Sequence, residues 1–263
     1  MPEGDSIHRL ANRLRPVLAG QPLVRLELAR ATRSGLHPPG PGTMVEAVEA
    51  VGKHLLIRFE GGVILRTHLR MNGSWQLYRP GERWHRPRHR MRALVSVARR
   101  DAVCFDAPVV ELERRPAIGH LGPDLTGADP DLGQCVERLG ALVDPATPVA
   151  DALLDQRIAC GVGNIFKSEV CFACGVDPAT TVGALDRAAR EALVATAARL
   201  LRANLGPAPR TTVAGRPGTL AVYGRAGRPC RRCGTRIRAA RLGPHGRSTF
   251  WCPSCQPPRT EPD

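Results

Sequence analysis

The segment CRRCGTRIRAARLGPHGRSTFWCPSC, residues 230–255, contains two Cys-x2-Cys pairs. Cys230 and Cys233 form the first pair, and 18 residues separate it from Cys252 and Cys255. This spacing is typical of zinc-binding knuckles, in which each pair presents two thiolates from one tight turn. Four protein ligands leave no open coordination position, so the segment predicts one structural Zn²⁺ ion in a small hairpin.

The same segment is strongly basic, as is the whole chain. Its six arginines are Arg231, Arg232, Arg236, Arg238, Arg241 and Arg247. The 263 residues include 38 Lys plus Arg against 24 Asp plus Glu, a formal net charge of +14. This balance predicts a polyanionic partner, and arginines on a zinc hairpin are suited to phosphate contacts.

Composition argues against several other classes of protein. Hydrophobic residues make up 43% of the chain, which is enough for a buried core. No run of about 18 apolar residues predicts a membrane span, and the acidic, polar N-terminus does not resemble a signal peptide. We therefore expect a protein that stays in the cytoplasm. Nine cysteines, an odd number, argue against a disulfide framework.

Upstream of the zinc segment, apolar periodicity divides the chain into two parts. Residues 5–18 predict an amphipathic helix, with Asp5 or Ser6 as its cap and Pro16 limiting its end. Seven strand-like runs follow, at 23–28, 44–51, 55–59, 63–69, 75–78, 94–98 and 103–105. Many short strands joined by Gly and Pro turns, such as Gly61-Gly62, predict a sandwich or barrel.

After about Gly119 the pattern becomes helical. Runs at 129–142, 151–174 and 185–205 predict helices. Residues 206–219 are rich in Gly, Pro and Thr and predict a loop.

A glycine-rich turn, Gly161-Val162-Gly163-Asn164, interrupts the apolar helical runs. Its glycines permit a tight turn, and Asn164 can cap the next helix. Backbone N–H groups at a helix start, together with an Asn amide, suit a DNA phosphate, and Lys167 adds positive charge nearby. An ordinary helix–turn–helix connection explains the same pattern.

The N-terminus offers a nucleophile. Removal of Met1 leaves Pro2 as the first residue, and its secondary amine has a pKa of about 8, against about 10.4 for Lys. More of this amine is unprotonated at neutral pH, so it can attack a sugar carbon and form a cationic iminium. Glu3 stands beside it and can move protons.

Three signals, namely the Pro-Glu start, the glycine-rich turn and the zinc segment, occur together in this chain. In this combination and order they resemble the formamidopyrimidine-DNA glycosylase and endonuclease VIII family. The matching blocks run from residue 2 to residue 256 and lie at 1–5, 51–56, 68–73, 120–124, 161–169, 222–225, 230–234 and 246–256. The resemblance implies an α+β fold: an N-terminal β-sandwich with an N-terminal helix, a helix–two-turn–helix domain and a C-terminal zinc-finger β-hairpin. The expected domains are 2–120, 121–225 and 226–256, followed by a disordered tail at 257–263.

The resemblance also implies an activity, namely base-excision repair by a DNA glycosylase with lyase activity. The target nucleotide is flipped out of the stack, because its glycosidic carbon is inaccessible inside a duplex. Pro2 would displace the base and form the Schiff base, and Glu3 would protonate the ring oxygen of the sugar. Successive β- and δ-elimination would then remove the sugar. The implied partner is damaged DNA, and the family precedent is a monomer, here a bacterial, nucleoid-associated one.

Further site residues follow from the same resemblance. Lys53 matches a strand lysine that binds phosphate and assists catalysis. Asn164 and Arg247 match residues that clamp the phosphates beside the flipped nucleotide, and Arg247 thereby supports catalysis. His68 follows the lysine strand and either contacts phosphate or is a solvated strand histidine. Met71 matches the residue that fills the hole left by the flipped base, with a core methionine as the alternative.

The chain also departs from part of the family. Its start, Pro2-Glu-Gly-Asp5, is closer to the endonuclease VIII branch than to the Pro-Glu-Leu-Pro-Glu start of the formamidopyrimidine branch. That second branch carries an Asp-Pro-Arg-Arg-Phe-Gly segment, whose Arg and Phe insert into the duplex opposite the lesion. In the corresponding stretch, residues 105–113, these Arg and Phe wedges are absent, since the residues after Asp106 include neither an Arg nor a Phe. The difference favours oxidised pyrimidines and abasic sites as substrates, in double-stranded DNA and, as a hypothesis, in single-stranded or bubble DNA.

Three alternatives remain at this point. One is a glycosylase for 8-oxoguanine and formamidopyrimidine, which the missing wedge argues against. Another is a catalytically inactive protein that binds damaged DNA, which the combination of Pro2, Glu3 and Lys53 argues against. A zinc-ribbon transcription or RNA factor explains the cysteines but not the N-terminus.

A second Cys-x2-Cys pair, Cys171 and Cys174, falls within a predicted helix. The chain has no matching pair for it, since Cys104, Cys135 and Cys160 are isolated in the sequence. We expect Cys171 and Cys174 to be small buried residues without a metal.

Overall fold

The structure is a computed structural model that describes residues 2–30, 35–244 and 246–258. Most of the expected disordered tail, residues 259–263, lies outside the described residues. The chain divides into two compact units, Met1–Gly119 and His120–Asp263. No helix in the described ranges is long and apolar enough to cross a membrane.

The first unit begins with helix α1 (Gly4–Leu18), whose apolar face, including Ile7 and Leu14, is buried. The expected cap at Asp5 or Ser6 is wrong, because Glu3 takes the extended N-cap conformation. Ser6 instead accepts the backbone N–H of Glu3 at 3.5 Å, as in a capping box. The helix therefore starts immediately after the expected catalytic pair, Pro2 and Glu3.

The described residues of this unit also form one short 3-10 helix, Arg88–Arg90, and eight strands. The strands are β1 (Leu23–Leu28), β2 (Val45–Val51), β3 (His54–Phe59), β4 (Val63–His68), β5 (Ser74–Tyr78), β6 (Met91–Val97), β7 (Arg100–Phe105) and β8 (Val109–Glu113). Two antiparallel four-stranded sheets result, in the orders β1-β6-β7-β5 and β2-β3-β4-β8. The expected sandwich is confirmed, and Gly61 and Gly62, both at positive φ, form the expected hairpin turn between β3 and β4.

Strand β8 was not predicted from the sequence. Its five residues, VVELE, carry little apolar alternation, and the strand is defined by its antiparallel ladder with β4. Arg66 and Glu113 reinforce this pairing with two hydrogen bonds of 2.7 and 2.9 Å. The core between the sheets contains Leu55, Leu65 and Trp75, and the Trp75 indole N–H donates to Thr67 Oγ1 at 3.2 Å.

In the second unit, the residues that the structure describes form four helices and one hairpin. They are α2 (Leu132–Ala141), α3 (Val149–Ala152), α4 (Asn164–Cys174), α5 (Arg187–Arg202), and the strands β9 (Arg238–Leu242) and β10 (Arg247–Trp251). Asp131 and Asp186 cap α2 and α5 with their carboxylates. Residues 206–219 contain no helix or strand, as the sequence predicts.

The expected helix over 151–174 is wrong in its first half, because residues 153–163 leave helical geometry. Gln156 stabilises this irregular segment by accepting the N–H of Gly161 at 3.1 Å and donating to the Val162 oxygen at 3.0 Å. The backbone also pairs in parallel with Asp124 at Cys160. The glycine turn therefore follows an ordered loop and leads directly into α4.

Cys171 and Cys174 lie in the last turn of α4. Cys171 is fully buried, and Cys174 is half-buried with its Sγ 3.6 Å from the Ala192 oxygen. Burial raises the pKa of the Cys171 thiol to about 12, which disfavours the thiolate that a metal needs. Among the described residues, neither cysteine belongs to a cluster of three or more metal-ligating side chains.

Candidate active site and nucleic-acid interface

The expected nucleophile and acid lie at the start of α1. Pro2 is partly exposed, whereas Glu3 is completely buried at the N-cap. The helix that follows holds both residues on a rigid element, because its apolar face packs into the sandwich core. The arrangement places a partly exposed Pro2 next to a carboxyl group shielded from water.

Lys53 lies in the two-residue turn between β2 and β3, that is, between the two strand-like runs expected at 44–51 and 55–59. Gly52, at φ +56, supplies the left-handed conformation that this tight turn needs. The turn places Lys53 directly before His54, which pairs with His68 across β3 and β4. The two imidazole rings meet edge to face, with centroids 4.8 Å apart.

His68 is a neutral hydrogen-bonding group in this setting. Burial, together with the positive charges of Lys53, Arg70 and Arg66, lowers the pKa of His68 to about 4. Its Nδ1 accepts the backbone N–H of Arg70 at 3.2 Å, so the remaining proton lies on Nε2. His68 can therefore donate one hydrogen bond to a phosphate without carrying a charge.

Met71 is 60% exposed, which contradicts the alternative of a core methionine. It lies in the 69–73 turn, which joins β4 of one sheet to β5 of the other. A Cβ on Gly73 would lie 2.6 Å from the Leu69 oxygen and 3.1 Å from the Cα of Ala107. Only glycine permits this approach, and it keeps the turn folded tightly against the β7–β8 turn while Met71 projects outward.

Asn164 is the first residue of α4, and Gly163 is the N-cap, so the expected capping role of Asn164 is wrong. The side-chain Nδ2 of Asn164 instead donates to the Ser248 oxygen at 2.9 Å. Its Oδ1 is buried and makes no hydrogen bond within the described part of the chain. Because Ser248 follows Arg247 on β10, this bond joins the start of α4 to the strand that carries Arg247, whose side chain is exposed.

Lys167 is completely buried, so the expectation that it contacts DNA is wrong for this structure. Helix α4 is enclosed on all sides, and nine consecutive residues from Asn164 to Phe172 are buried. A side chain in the middle of such a helix points into the protein whatever its charge.

Two neighbouring residues of α4, to which the sequence analysis assigned no role, organise the surroundings. Ser168 Oγ accepts the N–H of Phe250 at 3.3 Å, which adds a second link between α4 and β10. Glu169, 1% exposed, accepts backbone N–H groups from 221, 222 and 223 at 2.8, 2.9 and 2.7 Å, and the hydroxyl of Thr212. A charged residue inside an apolar helical run was the available signal, because a buried charge requires partners.

The four cysteines of the two knuckles come together as predicted. Their Sγ atoms all lie within 4.8 Å of one another, with the pairs Cys230–Cys255, Cys233–Cys252 and Cys233–Cys255 at 3.9, 3.4 and 3.4 Å. A tetrahedral zinc with Zn–S bonds of 2.3 Å separates its sulfur atoms by about 3.8 Å, so the cluster fits one structural Zn²⁺. It is the only such cluster among the described residues.

Gln256 anchors the second knuckle to the segment that follows α4. The side chain is fully buried, accepts the N–H of Cys252 at 2.9 Å and donates to the Val176 oxygen at 2.8 Å. Zinc binding thus holds the base of the hairpin, and Asn164 and Ser168 hold β10. The zinc site and the contacts of β10 with α4 together position Arg247.

Three family models match successive parts of the chain. They are the formamidopyrimidine-DNA glycosylase N-terminal domain at residues 1–108, the formamidopyrimidine-DNA glycosylase H2TH domain at 121–212, and a zinc finger found in FPG and IleRS at 227–258. Together these matches account for most of the chain.

Individual proteins are similar over nearly the whole chain. Probable endonuclease 8 2 of Streptomyces coelicolor is 45% identical, covering 97% of this chain and 94% of that protein. DNA-(apurinic or apyrimidinic site) lyase Nei2 of Mycolicibacterium smegmatis is 40% identical, covering 97% and 99%. The fold is similar to the crystal structure of Lactococcus lactis formamidopyrimidine DNA glycosylase bound to AP-site DNA, with a TM-score of 0.82, 22% identity and coverage of 98% and 100%.

Proposed function

This chain belongs to the formamidopyrimidine-DNA glycosylase and endonuclease VIII family, and on that premise we propose that it is a bifunctional enzyme of base-excision repair. It removes a damaged base from DNA and then cleaves the strand as an AP lyase. The observation that carries this proposal is the pair at the start of α1, a partly exposed Pro2 beside a fully buried Glu3.

The reaction begins at the nitrogen of Pro2 after removal of Met1. The nitrogen attacks C1′ of the sugar, the bond from C1′ to the base breaks with its electrons leaving on the base, and the proton of the attacking amine passes to that base, which restores the nitrogen lone pair. Glu3 protonates the ring oxygen, the sugar opens, and the nitrogen lone pair forms a cationic iminium. Loss of a proton from C2′ then expels the 3′ phosphate, and a second elimination expels the 5′ phosphate.

The other expected site residues hold the DNA. Lys53 and the neutral His68 bind phosphate near the reacting sugar, with Lys53 also assisting catalysis. Asn164 and Arg247 clamp the phosphates beside the flipped nucleotide, which the hydrogen bond from Asn164 to the strand carrying Arg247 supports. Met71 fills the gap in the base stack, which its exposure supports.

Oxidised pyrimidines and abasic sites are the proposed substrates, in duplex DNA and also in single-stranded or bubble DNA. The turn after β7, Asp106-Ala107-Pro108, offers neither an Arg nor a Phe to insert opposite the lesion. The two relatives named above carry endonuclease 8 or AP-lyase names, whereas a formamidopyrimidine-DNA glycosylase of Gloeobacter violaceus is less similar, at 34% identity. Excision of 8-oxoguanine is the alternative that this comparison disfavours.

We also propose that the enzyme acts as a monomer in the bacterial cytoplasm, in association with the nucleoid. The working division of the chain is a catalytic domain at 2–120, a helix–two-turn–helix domain at 121–225 and a zinc finger at 226–256.

Borohydride trapping on abasic-site and thymine-glycol duplexes tests the reaction, with the Pro2→Gly variant as the comparison. We expect a covalent protein–DNA adduct with the wild type and a large loss of adduct with the variant. An intact-mass measurement must first show that Met1 is removed, because an acylated Pro2 nitrogen cannot form an imine. A zinc-loaded, trimmed protein that forms no adduct would leave only a DNA-binding role.

A further inference from the structure

In the sheet β1-β6-β7-β5, one end of each strand lies along the same border of the sheet. A group of arginines that the proposed reaction does not use lies along this border. The strand register places the terminal residues Leu28, Met91, Phe105 and Ser74 of the four strands along this border. The residues that we call the arginine edge extend from it or lie on the loop that returns to it. They are Arg30, Arg86, Arg88, Arg90 and Arg92.

The arginine edge is held in place by specific contacts. Asp106, in the left-handed conformation at φ +55, binds Arg86 and Arg90, the latter through Nε at 2.8 Å. Arg88 binds Glu27 at 2.6 Å and lies over the ring of Trp84 at 5.6 Å. Trp84 in turn packs edge to face against Phe105. The loop that bears these arginines is therefore anchored to the sheet.

These guanidinium groups remain accessible and exceed the acids around them. The side chains of Arg86, Arg88 and Arg90 are 36%, 64% and 47% exposed. The five arginines face four carboxylates, those of Glu27, Glu82, Asp106 and Glu111, and two further cations, Arg25 and Arg83, lie beside these acids. A groove lined by Arg30, Arg92 and Asp106 continues this surface. An exposed excess of arginine fits a phosphate backbone.

The turn that carries Met71 connects the sheet of the arginine edge to the other sheet of the sandwich. Lys53 and His68 lie on the sheet β2-β3-β4-β8, and the arginine edge lies on the other sheet. The 69–73 turn crosses between the sheets, and Gly73 packs against Ala107, which adjoins Asp106. Met71 therefore projects at the boundary between the two groups of cations.

We propose that the arginine edge binds phosphates of the DNA strand opposite the lesion. This inference rests on the proposed function, in which Met71 fills the gap in the stack and Lys53 and His68 bind the damaged strand. A side chain inserted in the stack lies between the two strands, so the second strand lies across Met71 from Lys53 and His68, towards the arginine edge. This contact would strengthen the binding of duplex DNA by an enzyme that lacks the Arg–Phe wedge.

The test is to measure how DNA binding by the double variant Arg88→Ser/Arg92→Ser depends on salt concentration. The matched control is Arg99→Ser/Arg100→Ser, which removes two exposed arginines at the opposite edge of the same sheet, where Val97 pairs with Arg100. The probes are a duplex and a single strand, each containing a tetrahydrofuran abasic analogue that the enzyme cannot cleave. The measured quantity is the slope of log Kobs against log salt concentration, with circular dichroism showing that each variant is folded.

On the duplex, we expect the slope of Arg88→Ser/Arg92→Ser to be shallower by about 1.8, since each lost phosphate contact changes it by about 0.9. On the single strand its slope should equal that of the wild type, and the control should match the wild type on both probes. A wild-type slope on the duplex, or an equal loss on both probes, would overturn the proposal. Excision of thymine glycol by the wild type is measured separately, so a failure of the proposed function is distinguishable from a failure of this inference.

Discussion

The side-chain amide of Asn164, at the first position of α4, donates a hydrogen bond of 2.9 Å to the backbone oxygen of Ser248 on the zinc hairpin. Ser248 is the neighbour of Arg247, so one hydrogen bond joins a helix start to the strand that carries an exposed arginine. Burial of Asn164 makes this contact costly to lose, because an unpaired buried donor keeps its full desolvation penalty.

Asn164 and Arg247 should therefore act as a coupled pair in DNA binding. We expect Asn164→Ala and Arg247→Ala each to weaken binding to abasic-analogue duplex, with a coupling free energy of roughly 0.5–3 kcal/mol in a double-mutant cycle. As a control, Asn164→Ala combined with Arg238→Ala, at the other end of the hairpin, should be additive within about 0.5 kcal/mol. Additivity of the first pair, measured by fluorescence anisotropy, would contradict the coupling.

Glu169 should be a major determinant of stability in the second unit. Replacement by Gln keeps the shape but turns one acceptor oxygen into an N–H donor facing the donors of Thr212 and residues 221–223. We expect the free energy of unfolding to fall by roughly 2–3 kcal/mol in urea titrations. Glu191→Gln, which affects only an exposed pair with Arg187, should change it by less than about 0.5 kcal/mol. Equal effects would show that the buried carboxylate is not needed.

His68 should stay neutral through the physiological pH range. Its folded pKa of about 4 lies below the usual 6.5, so the unfolded chain binds more protons than the folded one between these values. The contribution of His68 to stability should therefore rise as pH increases from about 4 to about 6.5, and His68→Gln should remove this part of the pH dependence. The imidazole NMR signals of His68 should show no titration between pH 6 and pH 8, and a midpoint in that range would refute the assignment.

Zinc should be required for the position of Arg247 but not for the sandwich of the first unit. We expect one zinc per chain by atomic absorption, lost in Cys252→Ser together with most DNA binding, because the second knuckle no longer closes. Cys171→Ala is the matched control, since it removes a buried thiol outside the cluster. Zinc loss from Cys171→Ala would mean that α4 contributes a ligand.

The sequence predicted local features well. The zinc ligands follow from spacing within short knuckles, and their Sγ atoms meet as expected. Strand β1 and the hairpin at Gly61-Gly62 follow from alternation and turn chemistry. Errors arose where a pattern had two explanations: the apolar run 153–163 is an irregular loop bound by Gln156, and the cap of α1 is Glu3.

By itself, the sequence determined the chemistry available to this protein: four thiolates at zinc spacing, a Pro-Glu start, a strongly basic charge and the order of the family motifs. Only the tertiary structure decided which of these groups can act together. It buried Lys167, joined Asn164 to Ser248, exposed Met71 and collected an arginine edge beside it. The physical reason is range: spacing and turn chemistry act over a few residues, whereas burial and these hydrogen bonds depend on elements that are distant along the chain.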